Sequence, residues 1–273
     1  MKQSSDELGA HVSNAGGVQN APGRAALIDA VVFQFFTKMA RRWAEPIITD
    51  EAGDAFKQGC LEHGIWFTAA HDSYLINLAT ADQVLFERSY QSFVGELRRS
   101  MLLDLTAVVT HPGNATDGNI PRGLRRNAEA VQRALDEVPG KTMVLFETTA
   151  GSGNALGASF EQLAELIDLV DASHRERIGV CFDTCHVWAA GYDLRDAYDE
   201  VMRRLNDAIG LQRVRLFHLN DSIGGLRSRR DRHAHIGEGL LGRDPFARLL
   251  NDARFVRIPK LIETPKDDDV VAA

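Results

Sequence analysis

The chain has 273 residues, 44% hydrophobic and 25% charged, a composition that buries a large core without covalent staples. Three cysteines (Cys60, Cys181, Cys185) show no secretory framework, the opening MKQSSDELGAHVS lacks the features of a signal peptide, and no apolar run approaches the roughly 18 residues of a membrane span, so a cytoplasmic setting with no membrane partner is expected. A net charge of −7 argues at first against nucleic acid, but many of the acids fall where they can bind cations, and bases gather at Lys38, Arg41 and Arg42 and at Arg227, Arg229, Arg230 and Arg232.

Along the chain, short apolar or β-branched runs alternate with longer amphipathic stretches. The runs are LGAHVS (8–13), AVVFQFF (30–36), IWFTAAH (65–71), TAVVTH (106–111), TMVLFE (142–147), IGVCFD (178–183), VRLFHL (214–219) and PKLIE (259–263). Between them, ADQVLFERSYQSFVGELRRSMLL places Val84, Leu85, Phe93, Val94 and Leu97 at helical spacing, and RGLRRNAEAVQRALDEV and SFEQLAELIDLVDA read as further helices. Ser159 followed by Gln162 is a capping-box pattern. Eight strands alternating with helices predict parallel βα units, and their number favours a closed (β/α)₈ TIM barrel over an open doubly wound sheet. The length suits one such unit, so residues 1–273 are read as a single catalytic domain.

Six of the eight runs end on or beside a histidine or acid: His71, His111, Glu147, Asp183, His218 and Glu263. His186 follows Asp183 in CFDTCH, and Asp231 and His233 form a D-x-H pair. One such histidine is ordinarily a structural residue. Nine donors converging on the C-terminal face of a barrel are different, because buried carboxylates are costly unless cations compensate them. The nitrogen and oxygen donors suit zinc, with manganese or iron as substitutes, and their number suggests two or three ions. His11 reads as a supporting group near the pocket, His63 and His174 as surface residues, and His235 as no ligand. Cys181 and Cys185 read as packing residues. GSGNALG (151–157) lacks the Lys-Ser/Thr of a phosphate loop and reads as a flexible loop over the site.

The runs AHVSNAGG (10–17), FTKMARRW (36–43), HDSYLINL (71–78), THPGN (110–114), FETTAGSGNALG (146–157), GVCFDTCHVWAAGYDL (179–194), HLNDS (218–222), SRRDRHAHIGEG (228–239) and LIETP (261–265) together resemble the endonuclease IV family of apurinic/apyrimidinic DNA endonucleases, nearly end to end. The resemblance implies three zinc ions per chain: one on His71, His111 and Glu147; one on Glu147, Asp183, His218 and Glu263; one on His186, Asp231 and His233. Mn²⁺ or iron is admissible at one site. It also implies double-stranded DNA containing abasic sites as partner, a monomer, and insertion of Arg41, Tyr74 and Leu75 at the lesion. Arg229 and Arg232 are assigned to backbone phosphates. The activity implied is hydrolysis of the phosphodiester 5′ to an abasic site, giving a 3′-hydroxyl and a 5′-deoxyribose phosphate, with zinc activating the water and Glu147 or Glu263 orienting it.

Three departures stand out: Thr148 where the family commonly has Asn, Met39 in place of a more polar residue, and few residues after LIETP where a last helix is expected to cover the eighth strand. The first two are expected to alter DNA contacts. Two other functions compete: a metal-dependent sugar isomerase or epimerase on the same barrel, and an inactive binder of damaged DNA.

Overall fold

The computed structural model describes residues 7–264, so the expected absence of a final helix, which concerns residues beyond Glu263, lies outside the described part. Eight parallel strands close a barrel: β1 (Leu8–His11), β2 (Val32–Phe35), β3 (Phe67–His71), β4 (Ala107–Thr110), β5 (Met143–Glu147), β6 (Ile178–Asp183), β7 (Val214–His218) and, after the two short strands β8 (Asp221–Ser222) and β9 (His233–Ala234), β10 (Lys260–Ile262). Around the ring, β1 pairs with both β2 and β10, which removes every edge and excludes the open sheet. All eight runs read from the sequence are strands, trimmed by at most two residues at either end.

The alternation of side chains gives the barrel its inside and outside. Val32, Ala69, Val109, Leu145, Cys181, Leu216 and Leu261 form one buried interior cluster. The neighbouring residue along each strand, as in Phe33, Ala70, Val108, Phe146, Val180 and Phe217, faces outward into the clusters beneath the helices.

The helices are α1 (Ala21–Ala26), α2 (Asp50–Glu62), α3 (Gln83–Leu102), α4 (Ile120–Glu137), α5 (Phe160–Leu169), α6 (Thr184–Ala190), α7 (Tyr198–Ile209) and α8 (Asp244–Leu250). The three read from the sequence correspond to α3, α4 and α5. At α5 the Ser159 hydroxyl accepts from Gln162 N at 3.2 Å, but the Gln162 side chain accepts from Gly157 N at 2.9 Å, so half of the capping box instead ties down the preceding loop. The antiparallel pair β8–β9 has no counterpart in the sequence reading, since two-residue strands carry no periodicity.

Closure brings β1 very near β2. A Cβ built at Gly9 would lie 1.8 Å from the carbonyl oxygen of Val32, whereas one at Gly23 in α1 meets nothing. Gly9→Ala is therefore expected to destabilise the protein by at least about 1–3 kcal/mol, and Gly23→Ala to leave it unchanged or stabilise it by up to about 1 kcal/mol. Urea unfolding midpoints check this; equal midpoints for the two variants would contradict the close approach.

Candidate metal centre

Each strand-end donor sits two residues beyond an interior residue of the barrel. His71 follows Ala69, His111 follows Val109, Glu147 follows Leu145, Asp183 follows Cys181, His218 follows Leu216 and Glu263 follows Leu261. Two residues is one full pleat, so all six side chains enter the same mouth.

Glu147 lies at the middle, with a side chain only 1% exposed. Its Oε2 is 3.1 Å from His71 Nε2 and 3.2 Å from His111 Nε2. Its Oε1 is 2.9 Å from His218 Nδ1 and 3.4 Å from His186 Nδ1. One carboxylate thus presents its two oxygens to two donor groups. His218 Nδ1 also lies 3.0 Å from Glu263 Oε2 and 4.0 Å from Asp183 Oδ2. The donors of His71, His111 and Glu147 all lie within 4.8 Å of one another, as do those of Glu147, Asp183, His218 and Glu263.

The third set is more open. His186 Nε2 and His233 Nε2 each lie 3.2 Å from Asp231 Oδ1. Asp183 belongs here as well: its donor lies within 4.8 Å of those of His186 and His233. Asp231 and His233 are carried by the excursion between β8 and α8, whose root is the fully buried Asp221. That carboxylate accepts from the backbone N–H of Ser222, Gly237, Gly239 and Leu241 at 2.7, 2.9, 3.1 and 2.9 Å.

The imidazoles are oriented through their other nitrogens. His71 Nδ1 donates to the Asp72 carbonyl at 2.9 Å, His186 Nδ1 to the Thr148 carbonyl at 2.8 Å, and His218 Nε2 to Gln34 Oε1 at 3.0 Å. In the neutral ring each bond sets the tautomer whose other nitrogen, turned to the cluster, offers its lone pair to a cation. Burial disfavours the charged forms, yet charge and hydrogen bonding prevail. His71 is lifted to about 9, chiefly by Glu147, and His186 and His218 stand well above the ordinary imidazole value. Glu147 and Glu263, which burial would raise, are held well below the carboxylate range, His218 being the largest opposing influence on each. Asp231 is depressed far below its ordinary value despite burial, through His186 and His233.

The residues fit divalent cations. His186 Nε2 and His233 Nε2 are buried and, beyond their approach to Asp231, have no hydrogen-bond partner among the described residues. Ring nitrogens of that kind, beside convergent carboxylates, are what an ion would complete. Cys181 also lies beside Glu147 and His218, but burial pushes its thiol up to about 12, so it remains a neutral packing group. Cys185 is likewise buried.

Two participants escaped the sequence reading. Gln34, fully buried, donates to Glu263 Oε1 at 2.6 Å while accepting from His218, and its amide nitrogen lies 3.2 Å from His11 Nδ1. Its position, two residues after interior Val32 in an otherwise apolar run, was the available signal. Asn220 donates to Asp183 Oδ2 at 2.6 Å and Glu263 Oε2 at 3.3 Å and accepts from Glu263 N at 3.1 Å. No local pattern marks it.

Thr148, a departure expected to alter DNA contacts, is buried between two strands. It is 2% exposed, and its hydroxyl accepts from the Asp183 N–H at 2.9 Å, joining β5 to β6. Met39, by contrast, is largely exposed. Arg41, Arg229 and Arg232 are exposed, Leu75 is half-buried, and Tyr74, 51% exposed, stands with its ring centroid 5.3 Å from that of His71. Tyr74, His111, His186 and Asp231 share a cavity of about 270 Å³ with residues 149–152. The glycine-rich loop beside it is pinned: Asn114 bridges Ala155, and Ser152 Oγ donates to the Arg229 carbonyl at 2.5 Å. His63 and His235 are exposed; His174 is half-buried and 2.7 Å from Asp136. No helix among the described residues is long and apolar enough to cross a membrane.

A family model described as xylose isomerase-like TIM barrel matches residues 24–273. A protein of Chloroflexus aurantiacus named probable endonuclease 4 is 46% identical over 266 residues, 96% of this chain and 93% of that one. The crystal structure of endonuclease IV from Thermus thermophilus superposes with a TM-score of 0.87 at 35% identity, covering 97% of this chain and 95% of that one. A D-tagatose 3-epimerase-like protein, 14% identical, superposes at 0.67 over 97% of this chain and 93% of its own, a likeness of barrel alone. Relatedness at this level over nearly the whole length, on a barrel whose mouth gathers these donors, leads to one conclusion: the chain belongs to the endonuclease IV family.

Proposed function

We propose that the chain is a DNA-repair endonuclease that hydrolyses the phosphodiester 5′ to an abasic site in duplex DNA, leaving a 3′-hydroxyl and a 5′-deoxyribose phosphate, and that it acts as a monomeric single-domain enzyme. The observation that supports this most is the split of Glu147: one carboxylate shared between two donor groups, with a third group 3.4 Å away through His186, and half-exposed Tyr74 against His71 and His111. His71, His111 and Glu147 would hold one zinc ion; Glu147, Asp183, His218 and Glu263 a second; His186, Asp231 and His233 a third, with Mn²⁺ or iron admissible at one of them. When bound, such ions supply Lewis acidity that activates water near neutral pH and offsets charge on the phosphate and leaving oxygen.

The chain's own groups divide the remaining work. Glu147, at the middle of the donor groups, would hold them in register and is, with Glu263, a candidate to orient the attacking water. Glu263, at 12% exposed the more open of the two carboxylates, would orient the attacking water. Gln34 and Asn220 hold Glu263 from two sides. Arg41, Tyr74 and Leu75 enter the gap where a base is missing, so that an already unstacked nucleotide is the one most cheaply extruded. Arg229 and Arg232 meet backbone phosphates and fix the register of the duplex.

Zinc-loaded protein is expected to nick an abasic-site duplex and to lose that activity on prolonged chelation, with elemental analysis giving three ions per chain. Intact substrate, or turnover of a ketose with no effect on DNA, would refute the reading; one ion or none per chain would refute the cluster. Gln34→Leu removes both the acceptor for His218 and the donor to Glu263, and is expected to cost about 10–100-fold in kcat or zinc affinity. Titration of zinc and steady-state kinetics check this, and wild-type values in both would exclude a supporting role.

A further inference from the structure

The connection from β2 to α2, residues 36–49, carries Arg41 and is held by more than its ends. Lys38, three residues before Arg41, turns inward until its side chain is 1% exposed; its ammonium donates to Ser92 Oγ at 2.9 Å and to Glu45. Glu45, four residues after Arg41, also receives the Ser92 hydroxyl at 2.7 Å and the Arg99 guanidinium. Arg99 reaches on to Glu96 Oε2 at 2.7 Å and Thr37 Oγ1 at 2.7 Å, and the Thr37 hydroxyl donates to Glu96 Oε1 at 2.5 Å. Between the two ends, the Arg88 guanidinium lies over the Trp43 ring, 4.5 Å from its centroid.

Arg88, Ser92, Glu96 and Arg99 recur every three or four residues, so one face of α3 is given over to this connection. Gly95 lets Glu45 dock there: a Cβ at that position would be 3.1 Å from Glu45 Oε2. At the tip, the Ala40 carbonyl accepts from Tyr74 N at 3.1 Å and Ser73 Oγ at 2.8 Å, which joins the segments carrying Arg41 and Tyr74. Met39, Arg41 and Arg42 are left exposed.

We propose that Lys38, Glu45, Glu96 and Arg99 are positioning residues for lesion recognition: they hold the β2–α2 connection in its DNA-ready shape, so that Arg41 is presented beside Tyr74 before DNA arrives. The proposal rests on the DNA reading above. Two buried cations, answered by buried Glu96 and by Glu45 at 38% exposed, are a poor way to gain stability, because desolvation opposes their attraction. What they secure is one conformation of a long polar segment, which then has no ordering entropy left to lose on binding.

The test is a double-mutant cycle on the full zinc-loaded chain with Glu45→Ala, Arg41→Ala and both. Glu45→Ala is expected to weaken an abasic-site duplex about tenfold, through KM rather than kcat, and an undamaged duplex by no more than about twofold, since phosphate contacts dominate there. In the Arg41→Ala background the same change is expected to have no further effect, and Glu45→Gln, which keeps an acceptor for Ser92 but not the charge facing Lys38 and Arg99, to recover the affinity only in part. Trypsin cleavage after Arg41 or Arg42, mapped by mass spectrometry without DNA, is expected to quicken about tenfold in Glu45→Ala. Additive losses in the double variant, or an unchanged cleavage rate, would overturn the proposal. Failure of the DNA reading shows separately, as no nicking of the abasic duplex by the unaltered chain.

Discussion

The molecule is organised around a carboxylate that has almost no contact with water. Glu147 is ionised at the mouth of a closed barrel, and burial alone would drive it neutral. It stays charged because imidazoles converge on both of its oxygens. The same convergence makes the place hospitable to divalent cations, which would replace the imidazolium protons as the compensating charge. Remove the convergence and the carboxylate is an uncompensated charge in the core; keep it, and a cation site follows.

The convergence is a consequence of barrel geometry more than of local design. Parallel strands end together on one face, and the pleat decides which of the last residues turn inward. One full pleat beyond the apolar layer of Val109, Leu145, Cys181 and Leu216 comes a ring of His111, Glu147, Asp183 and His218. Four of the nine donors therefore lie on strands and two, His111 and Glu263, one residue past a strand end, while the three of the more open set sit on α6 and the excursion after β8. That excursion is stiffened at its root by Asp221, whose carboxylate gathers four backbone N–H groups.

An acidic chain can still approach a polyanion because its charge is divided in space. Much of the negative charge at the mouth belongs to groups suited to bind cations, and the exposed residues around it include Arg41, Arg42, Arg229, Arg230 and Arg232. Arg41 and Tyr74 sit on separate connections that meet through the Ala40 carbonyl. The connection packed on α3 thus meets the segment after β3 through the Ala40 carbonyl, and its Phe36 ring lies 5.6 Å from that of His71 and 5.5 Å from that of Tyr74.

The sequence by itself determined the barrel and most of the donor ring. Strand periodicity and the βα beat are local properties, and a polar residue closing an apolar run is visible wherever it occurs. It also carried the family, through long motifs in order. Only the tertiary structure decided how the donors are shared. That Glu147 divides its oxygens, that Asp183 also reaches His186 and His233, and that Thr148 ties β5 to β6 all depend on strand register. Gln34 lay between the two: its parity was legible, but its grip on His218 and Glu263 joins residues 184 and 229 positions apart. Asn220 and the Lys38–Glu45–Arg99 network left no periodic trace, because they are made by loops meeting a helix, and loop paths are set by what they pack against.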